Sequence, residues 1–253
     1  MNKITLLILG IMLFSSCEKD EEIDTTDITE NTTTQTVCSP TASNLTETAI
    51  SSYTAPNDTI YTTSGTYEVV IANTAGCDST ITINLTINQL AVIGEYRDGG
   101  VVFWEDGKGG GLVCAISDQS SAVQWNSSGA DKWISTQEQA IGTGQANTTT
   151  IIAEQGVGTD YAAAIATAYE GGEFTDWFLP SKNELIEMAQ NRDVINTSAI
   201  SNGGTALSNQ YWSSSQYDTK HAYYTFLPPS PNAPVTQARD KTLTSAVRAI
   251  RAF

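Results

Sequence analysis

Few residues in this chain could support acid–base or nucleophilic chemistry. His221 is the single histidine among 253 residues, so any mechanism that needs an imidazole base must use it. No serine or cysteine lies in a recognisable nucleophile motif, which disfavours a hydrolytic triad. Zinc is also disfavoured, because His221 and Cys114 are the only histidine and cysteine of residues 92–253. We therefore expect no catalytic residue and no bound metal.

Carboxylates are the remaining chemical groups of interest. Residues 92–253 contain seventeen of them, so a paired acid and base, as in an extracellular polysaccharide-active enzyme, stays open as an alternative function. No spacing singles out one pair. Calcium also stays open, because it prefers Asp, Asn and Glu oxygens in loops, but no W-N-D or E-P-N string of the sugar-binding type indicates a site. We expect no cofactor.

A binding surface is the better interpretation of the polar and aromatic residues near the C-terminus. Segment 216–245 is rich in Tyr, Arg and other side chains with polar tips, which are effective anchors for ligands. The alternative is an ordinary solvent-exposed face of a sheet, and a purely structural envelope protein stays open as a further alternative function. The candidate ligand-binding residues are Tyr217, Asp218, Lys220, His221, Tyr223, Tyr224, Gln237 and Arg239.

The stretch 176–184, D-W-F-L-P-S-K-N-E, predicts the junction that organises this part of the chain. Ser181 is a natural N-cap, and Glu184 three residues later completes a capping box, so a helix should begin near Lys182. Trp177 and its apolar neighbours just before the cap should lie in the core. We expect packing, not chemistry, from this junction.

The remaining patterns predict an α+β fold. Residues 101–105 and 112–116 flank a glycine-rich turn, D-G-K-G-G-G, and should form a hairpin. Helices are expected at 147–155 and 159–169, the second rich in alanine. Further strands of an antiparallel sheet are expected at 211–214, 222–226, 235–239 and 246–252.

Two later strings, taken together with the 176–184 junction, resemble a known protein family. Y-W-S-S-S at 211–215 and V-R-A-I-R-A-F at 247–253 follow it in an order that resembles the C-terminal domain of collagen-like bacterial adhesins and related Bacteroidota lipoproteins. The resemblance covers 93–253. It implies a C-type-lectin-like fold and a binding module instead of an enzyme. The segment between the two strings also looks like the variable region of proteins diversified by retroelements.

The N-terminus is typical of an exported lipoprotein. Residues 1–16 have one lysine and a short apolar run, which predicts a signal peptide, and Cys17 follows in a segment that resembles a lipidation site. Residues 17–37 are acidic and Thr-rich, as in a solvated tether. The string K-D-E-E after Cys17 resembles the export signal of surface-exposed Bacteroidota lipoproteins. We therefore expect an outer-membrane lipoprotein exposed on the cell surface.

Residues 38–89 predict a small β-sandwich. Alternating apolar and polar residues at 59–62, 65–71 and 79–87 are separated by turn residues, and the segment resembles spacer modules of secreted proteins from gliding bacteria. So small a module buries little surface, and a disulfide between Cys38 and Cys77 should stabilise it. Cys114 is expected to be a buried, unreactive thiol.

The charge of the chain excludes one class of partner. A formal net charge of −16 repels polyanions, so we expect no nucleic acid partner. It also weakens any carry-over of the adhesin family's binding to sulfated polysaccharides, unless Lys220, Arg239 and Lys241 form a local basic patch. The expected partner is a glycan or a protein on another cell or in the matrix.

Overall fold

The computed structural model describes residues 39–127, 133–158, 160–228 and 232–253. All of them except Ser39 belong to one compact unit, Pro40–Phe253. The predicted signal peptide, lipidated Cys17, tether and Cys38 lie outside the described residues. No helix within the described ranges is long and apolar enough to cross a membrane.

The unit begins with a β-module that has its own hydrophobic core. Strands β1, β5 and β4 form a three-stranded sheet in that order, and β2 pairs with β3 in a two-stranded ribbon. Buried Val69, Ile83 and Leu85 of the sheet pack with Tyr53 and Tyr61 of the ribbon. The described part of this module has five strands, of which the sequence predicted three. The strands are β1 (Thr41–Ile50), β2 (Tyr53–Thr54), β3 (Ile60–Tyr61), β4 (Gly65–Ala72) and β5 (Asp78–Asn88).

Strand β1 was not predicted from the sequence. Its residues are mostly polar and none is buried, so the period-two signal of a half-buried strand is weak. It pairs in parallel with β5 along its whole length, from Thr41 opposite Ser79 to Ile50 opposite Asn88. Its backbone hydrogen bonds therefore depend on a partner that is distant in sequence.

Cys77 lies at the edge of this module. It is buried, and its sulfur is disulfide-bonded, not a free thiol. Its expected partner, Cys38, lies outside the described residues, so the pairing stays a prediction. Cys114 is fully buried in the C-terminal part, and burial raises the pKa of its thiol to about 11.

The C-terminal part combines two sheets with short helices, so the described fold is α+β. One sheet has the order β12-β11-β10-β13-β9 and the other β14-β8-β7-β6. Whether this is a C-type-lectin-like fold stays a prediction. The strands are β6 (Tyr96–Arg97), β7 (Gly100–Glu105), β8 (Gly111–Ala115), β9 (Ser120–Gln124), β10 (Gln210–Gln216), β11 (His221–Phe226), β12 (Val235–Asp240), β13 (Thr244–Val247) and β14 (Ile250–Ala252), and the helices are α1 (Gly144–Gln155), α2 (Ala162–Thr167), α3 (Lys182–Gln190) and α4 (Arg192–Ser201).

The predicted hairpin is present as β7 and β8. The two strands pair antiparallel from Gly100 opposite Ala115 to Glu105 opposite Gly111. Gly107 and Gly109 have positive φ angles of 72° and 97° in the connecting turn. The Asp106 carboxylate accepts the N–H groups of Lys108 and Gly110, so the glycine-rich segment is a turn and holds its own backbone donors.

The capping box at the start of α3 is confirmed. Ser181 Oγ accepts the N–H of Glu184, and Glu184 Oε2 accepts the N–H of Ser181 at 2.6 Å. Trp177 is 2% exposed and packs in the core with Trp125 and Trp212. The junction therefore anchors the largest core of the unit, as its apolar residues predict.

The two arginines of V-R-A-I-R-A-F connect the C-terminal strands to other segments of the fold. Arg248 is 1% exposed, and its Nε donates to Asp118 Oδ1 at 2.7 Å. Arg251 forms a two-point ion pair with Asp176, the first residue of the helix junction, at 2.7 and 3.0 Å. The guanidinium of Arg251 also covers the ring of Phe174 at 3.8 Å. Each arginine joins the C-terminal strands to a different segment.

Two sequence predictions in this part were wrong. The expected strand 246–252 is two strands in different sheets, because β13 pairs with β9 and β10 whereas β14 pairs with β8. The sheet is not purely antiparallel either, since β10 and β13 pair in parallel. Helix α4 was not predicted, because R-D-V-I-N-T-S-A-I-S contains several residues with modest helix propensity.

Candidate functional site: two faces of the C-terminal sheet

The predicted ligand-binding residues do not form one surface. Strand β11 places consecutive side chains on opposite faces of the sheet, so Tyr223 points to one face and Tyr224 to the other. The register with β12 puts Gln237 opposite Tyr224, and Arg239 follows two residues later on that same face. The remaining candidates lie at the turn between β10 and β11 or beside Tyr223.

The first group is the tyrosine–lysine surface, which we define as Gln139, Lys182, Tyr217, Asp218, His221 and Tyr223. Tyr217 is 52% exposed, and its ring meets that of Tyr223 nearly at a right angle, with centroids 5.4 Å apart. Lys182 Nζ lies 4.6 Å from the centre of the Tyr223 ring and donates to Gln139 Oε1 at 2.9 Å. Two aromatic rings, one cation and one carboxamide therefore meet at one open surface.

Asp218 and His221 form a pair beside these rings. His221 Nδ1 lies 2.8 and 2.9 Å from the two carboxylate oxygens of Asp218. The hydrogen bond from His221 is the main reason that the pKa of Asp218 lies below its usual value. The same carboxylate accepts the backbone N–H groups of Lys220 and His221, so it also shapes the turn. Lys220 is exposed within this turn.

Gln139 and Lys182 were missed as binding candidates by sequence reasoning. The loop that carries Gln139 is fixed to the start of α3, because Ser181 Oγ donates to Ala140 O and the N–H of Asn183 donates to Gln139 O. Lys182 was recognised only as the first residue of the helix. Nothing in the local sequence indicates that residues 43 positions apart meet at Tyr223.

A buried carboxylate holds the other end of the same loop. Glu184 is completely buried, and its Oε1 accepts the N–H of Gly142 at 2.7 Å and that of Gly144 at 3.4 Å. Burial raises the pKa of Glu184, although these backbone donors oppose that shift. The capping box therefore also positions Gln139 and Lys182 for the tyrosine–lysine surface.

The serines of Y-W-S-S-S connect this surface to the sheet. Ser213 Oγ donates to the backbone carbonyl of Tyr223, and the N–H of Ser214 donates to Pro180 O. Ser215 Oγ accepts the N–H of Lys182 and donates to Glu138 O. Small hydroxyl side chains are required here, because they bond to backbone groups of neighbouring segments at close range.

The second group is the arginine face, which we define as Gln210, Tyr224, Gln237 and Arg239. The guanidinium of Arg239 lies 5.0 Å from the centre of the Tyr224 ring, and its NH1 donates to Gln210 Oε1 at 3.0 Å. Tyr224 donates its hydroxyl to Gln237 Oε1 at 3.3 Å. Tyr224 also contacts buried Trp212 edge to face. Tyr223 and Tyr224 are both half-buried.

Lys220, Arg239 and Lys241 do not form the local basic patch that binding to a sulfated polysaccharide would need. Lys241 is 1% exposed, and its Nζ donates to Gln216 Oε1 and Thr219 O and lies over the ring of Trp125. Lys220 lies in the turn and Arg239 on the second face. These three cations therefore do not present a joint surface to a polyanion.

A cleft of about 270 Å³ lies away from both groups, between α1 and the helix junction, and is lined by residues that include Thr148, Ile152 and Trp177. Thr148 Oγ1 donates its hydrogen to the Gly144 or Leu179 carbonyl and accepts the N–H of Leu179. The hydroxyl group of Thr148 therefore already has hydrogen-bond partners within the fold. Within the described ranges, no group of three or more His, Cys, Asp or Glu residues is arranged to hold a metal ion.

Comparison with known proteins leaves the family open. No family model matches the chain, and no curated protein matches it. Among solved structures, the chain is similar to a fimbrial protein from Bacteroides ovatus ATCC 8483, with 13% sequence identity and a TM-score of 0.44. The match covers 78% of this chain and spans about 60% of the fimbrial chain. A likeness this low carries no argument about function.

Proposed function

We propose that this chain is a lipid-anchored adhesion protein of the cell surface that recognises a saccharide through the tyrosine–lysine surface. The observation that carries the proposal is the meeting of Tyr217, Tyr223, Lys182 and Gln139 from three separate segments. Folding does not require an exposed tyrosine at position 217. It also does not require the ammonium group of Lys182, which has no acidic partner among the described residues.

The chemistry of these groups suits a neutral saccharide. Half-exposed aromatic rings supply apolar contact area with little loss of side-chain freedom, which matches the C–H faces of a sugar ring. Gln139, Lys182 and the Asp218–His221 pair supply donors and acceptors for hydroxyl groups around that ring. A protein ligand can use the same rings and polar groups, and the experiment below distinguishes the two.

The geometry gives less support to a polysaccharide-cleaving enzyme. His221 is held by Asp218 on an open surface, and within the described ranges no hydroxyl or thiol hydrogen-bonds to its ring. Nucleophile activation needs such a contact.

A glycan array probed with the chain from residue 18 onward tests the recognition of saccharides. We expect binding to a restricted set of neutral glycans that is lost in Tyr217→Ala, Tyr223→Ala and Lys182→Gln. Tyr96→Ala is the matched control, because Tyr96 is 45% exposed in the other sheet. If the wild-type protein binds no glycan on the array but binds a protein from a cell surface, the saccharide proposal is overturned. Repeating the array in EDTA tests whether calcium takes part.

Anchoring is tested separately. Cys17→Ser should release the protein from the membrane fraction or leave its signal uncleaved, since an acidic tether alone gives no membrane affinity. Unchanged membrane fractionation of a Cys17→Ser protein whose signal has been cleaved would contradict the lipid anchor. Surface exposure is tested by protease treatment of intact cells, and the retroelement idea by the presence of a reverse transcriptase and a template repeat beside the gene.

A further inference from the structure

The arginine face contains a positive charge that the described fold leaves uncompensated. Within the described ranges, Arg97, Arg248 and Arg251 form ion pairs with carboxylates. Arg239 has no carboxylate partner among the described residues, and its Nε is buried without a hydrogen-bond partner.

The guanidinium is nevertheless held in a fixed orientation. The guanidinium carbon of Arg239 lies 5.0 Å from the centre of the Tyr224 ring, and Gln210 accepts one N–H from NH1. The opposite strand supplies Ala222, whose side chain is too small to cover the group. Stacking on a tyrosine and bonding to a carboxamide orient an arginine without neutralising it. The outer N–H groups are thus available to an acceptor that the described residues do not provide.

The shape of this donor set selects among anions. A guanidinium offers parallel N–H groups that match two oxygens of a single anionic group, such as one carboxylate or one phosphate. Sulfated chains need several cations in a row, and Lys220 and Lys241 do not join Arg239 on this face. Gln210 and Gln237 flank the arginine and can exchange hydrogen bonds with hydroxyl groups beside a carboxylate.

We propose that the arginine face is a second binding site, separate from the tyrosine–lysine surface, for a sugar acid whose carboxylate is held by Arg239. The carboxamides of Gln210 and Gln237 contact its hydroxyls. The two sites lie on opposite faces of the β11–β12 hairpin, so they can be occupied together. This site does not depend on whether the tyrosine–lysine surface binds a neutral saccharide.

Nuclear magnetic resonance titration of the isotopically labelled chain tests this site with sodium glucuronate as the probe. We expect saturable shifts of the Arg239 Nε–H and Gln237 side-chain signals, and at least tenfold weaker binding of glucose and of acetate. Arg239→Gln should abolish the response. Arg239→Lys keeps the charge but not the parallel donors, so it should weaken glucuronate binding several-fold while leaving the remaining spectrum unchanged.

Lys182→Gln on the other face is the matched control and should leave the glucuronate response intact. Absence of saturable shifts with glucuronate would overturn the proposal, as would equal affinity for acetate. Tighter binding of N-acetyl-glutamate amide than of glucuronate would also overturn it and would indicate an acidic peptide ligand. Loss of glucuronate binding in Lys182→Gln with Arg239 intact would place the sugar acid at the other surface.

Discussion

Replacing Arg248 with methionine tests the account of the fold. The guanidinium is buried, donates to Asp118 at 2.7 Å and also donates to the carbonyls of Ala115, Thr205 and Ala206 at 2.9 to 3.2 Å. Methionine fills much of the volume but offers no donor. Asp118 would keep only the Tyr211 and Ser208 hydroxyls, as a carboxylate whose side chain is 14% exposed.

The expected loss of unfolding free energy is about 3–5 kcal/mol, the usual cost of removing one partner of a buried ion pair. Most of it comes from the carboxylate and carbonyls that lose their donor, so Asp118→Asn in the Arg248→Met background should recover about 1 kcal/mol or more. Arg251→Met is the matched control. Its partner Asp176 is 49% exposed and water can solvate it, so the loss should be less than half as large.

Equilibrium urea unfolding of these three variants, and of Asp118→Asn alone, measures these differences. If Arg248→Met costs less than about 1 kcal/mol, or no more than Arg251→Met, then the buried arginine is not a structural requirement of the fold. Additive effects of the Asp118 and Arg248 substitutions would show that the two residues do not act as a pair.

Three further predictions concern the C-terminal part of the chain. Trp177→Ala should lower the unfolding free energy by about 3–5 kcal/mol, and a thermal midpoint within about one degree of wild type would contradict core burial. The hydrogen bond from Arg251 lowers the pKa of Asp176, so its stabilisation should be complete above the ordinary aspartate pKa and lost as pH falls through the lowered value. The stability deficit of Asp176→Asn should therefore shrink between pH 6 and pH 3 in urea titrations, and a constant deficit would refute the linkage. Because burial raises the pKa of Cys114 to about 11, iodoacetamide at pH 8 should modify it only in urea, and rapid labelling of the native protein would contradict its burial.

Local signals in the sequence were reliable where neighbouring residues determine the structure. Ser181 and Glu184 are three residues apart, and their reciprocal bonds depend on little else. The glycine-rich turn between β7 and β8 is similarly local, because Asp106 binds the N–H groups of the next few residues. Both could be predicted from residue type and spacing alone.

Long-range pairing limited the rest of the prediction. Strand β1 is polar and is stabilised by parallel pairing with β5, so its own residues do not identify it. The strand break between Val247 and Ile250 exists because two different sheets share the C-terminal string. An apolar run in the sequence indicates that a segment is buried, but it does not indicate which neighbouring segment covers it.

The candidate site shows the same limit. The Tyr and Arg residues of segment 216–245 were identified by type, and alternation along a strand already implied that Tyr223 and Tyr224 diverge. The contribution of Gln139 and Lys182 could not be predicted, because the capping box and the loop to Gly142 bring them to Tyr223 only in the folded chain.

The central claim is that the tyrosine–lysine surface binds a saccharide and the arginine face does not take part in that binding. Isothermal titration with the neutral glycan selected on the array, alongside thermal melts, measures this for single alanine variants of Tyr217, Tyr223 and Tyr224. The account predicts that Tyr217→Ala and Tyr223→Ala each lose about 2 kcal/mol of binding, roughly thirtyfold, at nearly unchanged stability. Tyr224→Ala should bind like wild type. Equal losses in all three, or early melting of the Tyr217 and Tyr223 variants, would contradict it.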